Sequence, residues 1–177
     1  MEKIVADILS HILEARGGFN NNQAGFRRNR CTGDQVLKLV QAASHEMHTK
    51  KGNFTIVTFF DFSKAYDKVW RVGLLHKMIQ KGIPYRFVSY VRHFLSSRQT
   101  TVDVNGSKSK MFYLNEGLPQ GSAISPLLFL IFIDDIDKEL SQHTGRSLYA
   151  DDMAAWTTKA RAMRKCRGGC RNPSPAS

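Results

Sequence analysis

The sequence is poor in cysteine and has no apolar segment long enough to cross a membrane. Only three of its 177 residues are cysteine, and an odd number in a chain without a secretory pattern argues against a disulfide framework. Cys166 and Cys170 lack a second pair of ligands nearby, so a zinc site is not indicated either. The longest apolar run, Leu127–Ile133, is far below the roughly 20 residues that a membrane-spanning helix needs. We therefore expect a cytoplasmic or nuclear protein that is neither secreted nor bound to a membrane.

Acidic residues are scarce relative to basic ones. The chain has 15 Asp and Glu against 26 Lys and Arg, which gives a formal net charge of +11 and a pI near 9.8. Clustered Lys and Arg bind a phosphate backbone favourably because they release its condensed counterions. The balance favours a nucleic-acid partner, although a basic protein without such a partner would have the same composition. The six histidines show no metal-ligand spacing.

The spacing of apolar residues predicts an α+β chain. Phe54–Phe60 is rich in β-branched and aromatic residues and is predicted to be a central, buried strand. Thr100–Val104 and Met111–Leu114 are predicted to be the strands of a hairpin that turns at Asn105-Gly106, a dipeptide suited to the positive φ angles of a tight turn. Apolar residues at helical spacing predict helices that end before Gly17, begin at Thr32, cover Val72–Ile79, run from Pro84 to Leu95, and follow a Ser125 cap with Pro126 as first residue.

Aspartates stand where two predicted strands end. Phe54–Phe60 runs directly into Asp61, and Asp151 and Asp152 form the tip of a predicted strand–turn–strand unit. Taken singly, Asp61 is explained by helix capping and the Asp pair by an ordinary polar turn. If both strands belong to one sheet, the carboxylates converge, and their mutual repulsion is relieved by a divalent cation. Carboxylate, water and phosphate oxygens are the ligands that Mg²⁺ prefers, and two such ions about 4 Å apart suit phosphoryl transfer.

A third segment, Gly117–Pro126, has the composition of a ligand-contacting loop. Gly117 and Gly121 allow backbone to approach a ligand closely, Pro119 stiffens the turn, and Gln120 offers an amide that both donates and accepts. The alternative is a plain loop leading into the next helix. The segment alone does not decide between these two interpretations.

Taken in order, four segments resemble the signature blocks of reverse transcriptases, specifically those of non-LTR (LINE-like) retrotransposons. QAGFRRNRCTGDQV resembles the fingers motif, FDFSKAYDKV the first catalytic block, GLPQGSAISPLLFLIFIDDI the block that follows, and YADD the metal-binding hairpin. The likeness covers Met1 to about Lys159. It implies an RNA-directed DNA polymerase, a nucleotidyltransferase that adds dNTPs to the 3′-OH of a DNA primer on an RNA template. The alternative is an inactive, truncated remnant that only binds nucleic acid.

The resemblance implies a role for each matched residue at the metal centre. Asp61 and Asp151 would hold two Mg²⁺ ions, with the carbonyl of Phe62 as a further ligand and Asp152 as a less direct member of the catalytic trio. Tyr66 matches the aromatic ring that lies beneath the incoming sugar and selects deoxynucleotides.

Further residues would surround the nucleotide. The backbone amides of Lys64 and Ala65 would face the triphosphate, and Arg27 together with Arg30 would neutralise its outer phosphates. The nucleotide-binding set implied by the resemblance is Arg27, Arg30, Lys64, Ala65, Tyr66, Gln120 and Gly121.

The implied fold is the palm of a right-hand polymerase, an antiparallel sheet backed by helices, with partial fingers and no thumb. Residues 1–53 would form part of the fingers and residues 54–159 the palm. Residues 160–177 read as a basic, low-complexity tail that is predicted to be disordered. Asp67 is expected to serve structure, and three further acidic residues are expected to face solvent at a helix end, not to act in catalysis: Asp134, Asp135 and Asp137.

Overall fold

The structure, a computed structural model, describes residues 1–49 and 54–157. The predicted tail from residue 160 lies outside these residues. Within the described part of the chain, no helix is both long and apolar enough to span a bilayer. The predicted α+β class is confirmed: five helices combine with antiparallel strands in this part of the chain.

Every predicted helix is present, and the strands overlap the predicted strand segments, except for Ser107–Lys108, which was not predicted to be a strand. The helices are α1 (Glu2–Ala15), α2 (Thr32–Thr49), α3 (Arg71–Gln80), α4 (Tyr85–Leu95) and α5 (Ser125–Ile133). The strands are β1 (Ile56–Phe60), β2 (Gln99–Thr100), β3 (Asp103–Val104), β4 (Ser107–Lys108), β5 (Phe112–Tyr113), β6 (Gly145–Tyr149) and β7 (Asp152–Thr157).

The structure confirms the turn of the predicted hairpin but not the predicted cap of α5. Strands β3 and β4 pair across Asn105 and Gly106, which have φ angles of 52° and 82°, so the turn is confirmed. Ser125 was expected to cap α5, but it is the first residue of that helix, and no side chain forms a capping hydrogen bond there. Pro126 occupies the first turn as predicted, where its missing N–H costs nothing.

The main sheet has three antiparallel strands in the order β1-β7-β6. Its central strand is β7, so the prediction that Phe54–Phe60 is central and buried is wrong. Strand β1 lies at the edge, and four of its five residues are exposed, with Phe59 at 74%. Strand β7 pairs with β6 on one side and with β1 on the other, and the hydrophobicity of a strand does not show on which side its neighbours will pair.

One large apolar core unites four helices. Helix α5 is apolar on all sides, and seven of its nine residues are buried. Leu9 and Leu13 of α1, Leu74 of α3 and Val91 of α4 belong to the same buried cluster as α5. Residues from both predicted regions, 1–53 and 54–159, therefore share this core. A second, smaller cluster lies on one face of the sheet and contains Leu148, Met153 and Ala155.

Acidic residues that follow α5 connect it to neighbouring segments through hydrogen bonds and an ion pair. Asp137 is only 4% exposed and accepts hydrogen bonds from Asn20 Nδ2 (2.5 Å) and Asn22 Nδ2 (3.2 Å). Asp134 accepts a hydrogen bond from the backbone N–H of Asn20 (2.7 Å) and forms an ion pair with Lys81. The expectation of solvent-facing residues is therefore wrong for Asp134 and Asp137, because each is the acceptor for polar groups on a neighbouring segment.

Candidate active site

The register of the main sheet brings the predicted catalytic aspartates to the same end. Phe60 is the partner of Met153, so continuing the register by one residue places Asp61 alongside Asp152. Neighbouring strands lie about 4.8 Å apart. Asp61, which directly follows β1, and Asp151, in the turn between β6 and β7, therefore lie at the same end of the sheet, although 90 positions separate them (151 minus 61).

The turn itself consists of two residues, Ala150 and Asp151. Tyr149 and Asp152 pair as the last residue of β6 and the first of β7, so only one of the two aspartates lies in the turn. Ala150 has a φ of 54°, a left-handed conformation that is unfavourable for residues with a Cβ. Asp151 is half-buried, whereas Asp152 is exposed. The two adjacent carboxylates thus have different surroundings.

A cavity of about 490 Å³ opens beside this turn. Its volume lies within the range of roughly 300–1,000 Å³ that is usual for small-molecule sites. Three segments that are far apart in the sequence contribute to it: the residues after β1, the loop before α5 and the β6–β7 turn. The lining residues are Phe62, Lys64, Ala65, Tyr66, Gln120, Gly121, Ser122, Ser125, Pro126 and Asp151.

Tyr66 is held firmly in the wall of this cavity. Its ring stacks on Phe129 of α5, with 4.8 Å between ring centroids and 14° between the ring planes. Burial, and to a smaller extent the negative charge of Asp151, raises the pKa of the Tyr66 phenol to about 12. The phenol is therefore neutral at physiological pH and adds no charge beside Asp151.

The loop before α5 is fastened to the segment that follows β1. Gly117 has a φ of 79°, and a Cβ on it would lie 2.5 Å from the carbonyl oxygen of Asp67. The backbone N–H of Leu118 donates to the carbonyl of Tyr66 (2.8 Å), and Gln120 Nε2 donates to Asp67 Oδ1 (2.9 Å). Gly117 was predicted to let backbone approach a ligand, but its close approach is to backbone of the chain itself.

The turn after β1 contains a residue in the left-handed conformation. Lys64 takes a left-handed conformation with a φ of 54°, and its carbonyl accepts hydrogen bonds from the backbone N–H groups of Asp67 and Lys68. Successive N–H groups in such a turn form concavities that bind anions. Lys64 and Ala65 line the same cavity as Asp151.

Residues 1–170 match the family described as "Reverse transcriptase (RNA-dependent DNA polymerase)". The chain belongs to this family. It is 30% identical over 159 residues to the "Probable RNA-directed DNA polymerase from transposon BS" of Drosophila melanogaster, covering 86% of this chain and 17% of that relative. It is 29% identical over 163 residues to the "RNA-directed DNA polymerase from mobile element jockey" of the same organism, covering 89% and 18%. The resemblance to non-LTR retrotransposon reverse transcriptases is thereby confirmed.

A solved structure of apo telomerase from Candida tropicalis, truncated from its C-terminal domain, shares the fold. The TM-score is 0.61 and the sequence identity 14%, and the match covers 92% of this chain and 35% of the telomerase chain. At this identity the likeness concerns the fold alone. This reverse transcriptase domain spans about a sixth of the length of the transposon polymerases that it matches.

Arg27 and Arg30 are not among the residues that line the cavity of the reverse transcriptase domain. The Arg27 side chain is only 7% exposed, and its guanidinium donates to both carboxylate oxygens of Glu14 (2.8 and 2.7 Å). It also donates to the carbonyl oxygens of Asn20 (2.9 Å) and Gln23 (3.2 Å). The structure therefore shows Arg27 linking α1 to the loop that follows it, and contact with a triphosphate stays a prediction.

Two residues beside the turn were missed by sequence reasoning. Gln23 and Gly25 belong to the QAGFRRNRCTGDQV segment, but neither was assigned a role there. Both are buried, and both contact Ala150, which precedes Asp151. A glutamine between two predicted helices resembles any loop residue, so only its burial in the fold reveals this contact.

Reverse transcriptases use divalent metal ions, and the donor atoms here suit a hard cation. Within residues 1–49 and 54–157, no three His, Cys, Asp or Glu side chains come together as a metal cage. Mg²⁺ is usually held by only one or two carboxylates and completes its coordination with water and substrate phosphates. Asp151 lines the cavity, whereas Asp61 is exposed and is not among its lining residues. Joint binding of an ion by these two carboxylates therefore stays a prediction.

Proposed function

We propose that this chain is the catalytic part of an RNA-directed DNA polymerase, which adds deoxynucleotides to the 3′-OH of a DNA primer on an RNA template. One observation carries the proposal: three segments distant in the sequence line a single cavity, and each contributes a residue matched by the resemblance, such as Tyr66, Gln120 and Asp151. In this proposal β1, β6 and β7 with the helices behind them form the palm, and residues 1–53 form part of the fingers.

Asp61 and Asp151 would hold two Mg²⁺ ions, assisted by the carbonyl of Phe62, with Asp152 in a less direct role. When bound, the ions would favour attack by the primer oxygen and stabilise the departing pyrophosphate. The chain itself supplies fixed geometry. The Asp151 turn closes the β6–β7 hairpin, and Asp61 extends from its paired neighbour β1.

The cavity would orient the nucleotide through backbone and ring contacts. The N–H groups of Lys64 and Ala65 would receive the triphosphate, and Gln120 with Gly121 would line the base and template side. Tyr66 would support the sugar, since stacking on Phe129 leaves its ring little freedom to move aside for a 2′-hydroxyl. Because the phenol is neutral, it would not repel the phosphates.

Primer extension on poly(rA) with oligo(dT) and Mg²⁺ tests the proposal. Asp151→Asn removes one carboxylate that would hold the metal, an effect worth several kcal/mol, so extension should fall by about 1,000-fold. Asp7→Asn is the matched control, because Asp7 is an exposed residue of α1 that pairs only loosely with Arg28 (3.6 Å). Extension that survives Asp151→Asn would contradict the assigned site.

A second function, nucleic-acid binding without catalysis, is favoured by the net charge of +11. In that case RNA would bind with an affinity that falls steeply with salt, because each neutralised phosphate of a single strand contributes about −0.7 to the slope of log K against log salt. Binding of this kind without extension in the wild-type chain would support the second function over the first.

A further inference from the structure

We propose that Gln23 is a positioning residue that holds the β6–β7 turn and thereby fixes the Asp151 carboxylate. The inference rests on the proposed function, because it gives Gln23 a part in catalysis only if Asp151 binds the metal. Gln23 itself is 3% exposed and does not line the cavity, so it acts through the turn and not on the substrate.

The Gln23 amide satisfies both backbone groups of Ala150. Its Oε1 accepts from the N–H of Ala150 (2.9 Å) and from the N–H of Gly25 (2.8 Å), and its Nε2 donates to the carbonyl of Ala150 (3.2 Å). Two N–H donors require the oxygen and one carbonyl requires the nitrogen, so the amide has a single satisfying orientation. Few other side chains present an acceptor and a donor at this spacing.

The turn needs such support. Ala150 has a φ of 54°, and a residue with a Cβ keeps this conformation only where surrounding contacts enforce it. Gly25 packs directly beneath it, since a Cβ on Gly25 would lie 2.2 Å from the Ala150 nitrogen. Gln23 and Gly25 together hold the backbone of Ala150, and the next residue is Asp151.

The segment that carries Gln23 is itself anchored to the hairpin. The N–H of Ala24 donates to the carbonyl of Leu148 (2.9 Å), and the N–H of Leu148 donates to the carbonyl of Asn22 (3.0 Å). Asn22 is held in turn by buried Asp137. Gln23 and Leu148 thus form an isolated parallel β-bridge, so the Gln23 side chain reaches the turn from an anchored backbone.

Binding of the Mn²⁺–dTTP complex to the 177-residue chain, monitored by the enhancement of water proton relaxation, tests the inference, because the ion is expected to arrive with a nucleotide. Gln23→Met keeps the volume and removes all three hydrogen bonds, and Gln23→Asn keeps the amide but shortens its reach by one methylene. Loss of the support of a metal-binding group commonly costs 10- to 100-fold in metal affinity, so both variants should bind the Mn²⁺–dTTP complex about 10- to 100-fold more weakly. Titrations are made at a temperature where circular dichroism shows each variant folded.

Gln80→Met is the matched control, since the amide of Gln80 is exposed on α3 and bonds only to His76 among the described residues. It should leave the affinity for Mn²⁺–dTTP unchanged within about twofold. If the Gln23 variants bind Mn²⁺–dTTP like the wild type while Asp151→Asn binds it weakly, Gln23 is merely a buried structural residue and the inference is wrong. If Asp151→Asn binds Mn²⁺–dTTP as tightly as the wild type, the metal site of the proposed function fails first.

Discussion

Replacing Arg27 with methionine should destabilise the whole fold. The substitution removes a two-pronged ion pair with Glu14, two hydrogen bonds to loop carbonyls and a guanidinium that lies 5.1 Å from the centroid of the Phe19 ring. Breaking a buried ion pair costs roughly 3–5 kcal/mol. The Glu14 side chain is 33% exposed and regains water when its partner is lost, so the lower end, about 3 kcal/mol, is expected.

A loss of this size is large compared with the roughly 5–15 kcal/mol that stabilises a typical domain. Urea unfolding followed by circular dichroism measures it, with Arg28→Met as the matched control. Arg28 is exposed and lies 3.6 Å from an exposed Asp7 carboxylate, so its loss should change the free energy of unfolding by less than about 0.5 kcal/mol. A double-mutant cycle with Glu14→Gln should return a coupling of roughly 1–3 kcal/mol.

The opposite result would restore the phosphate role implied by the resemblance. If Arg27→Met unfolds at the same urea concentration as the wild type but no longer binds dNTP, the guanidinium serves the nucleotide, and its contacts with Glu14 contribute little. The link between α1 and the loop would then not explain why an arginine stands at this position.

Two further predictions concern acid stability and backbone conformation. The hydrogen bond from Arg27 holds the pKa of Glu14 below its ordinary 4.5. The Glu14 carboxylate therefore stabilises the fold fully above pH 4.5, and this stabilisation is lost as the pH falls through the lower pKa of the folded state. In acid titrations monitored by circular dichroism, the Glu14→Gln variant should not show this loss of stability. Gly117→Ala should cost at least about 1 kcal/mol more in urea unfolding than Gly106→Ala, because both glycines have positive φ but only Gly117 would place its Cβ against backbone. Equal losses for the two glycine variants would show that the Asp67 contact yields easily.

Local signals sufficed for most of the secondary structure. Gly82 permits a left-handed end to α3, and Pro84 directly precedes α4, which begins at Tyr85, one residue later than predicted. Both effects act over a few residues. The position of β1 in the sheet could not be found in this way. The strand that β1 pairs with belongs to a hairpin some ninety residues later in the chain. An apolar segment can become either a buried central strand or an exposed edge strand, so its sequence alone does not distinguish the two.

In the candidate site, too, some residues could be predicted from local sequence and others could not. Motif resemblance identified residues that line the cavity, including Lys64, Tyr66 and Asp151, because the signature blocks keep these residue types in order. It gave no indication of Gln23, whose partner Ala150 lies 127 positions away, and no indication that Glu14 would occupy the Arg27 guanidinium. Contacts of that kind depend on how the segments pack.

Helix α1 contributes to the main apolar core, so a version of the domain that lacks α1 should be unstable. Leu9 and Leu13 are almost completely shielded from water by the same cluster that encloses α5. Burying a leucine is worth roughly 1.5–3 kcal/mol. Deleting residues 1–17 would therefore cost several kcal/mol of stability and expose an apolar groove along the remaining helices. Chimeras between this domain and its relatives should therefore exchange α1 and α5 as a pair.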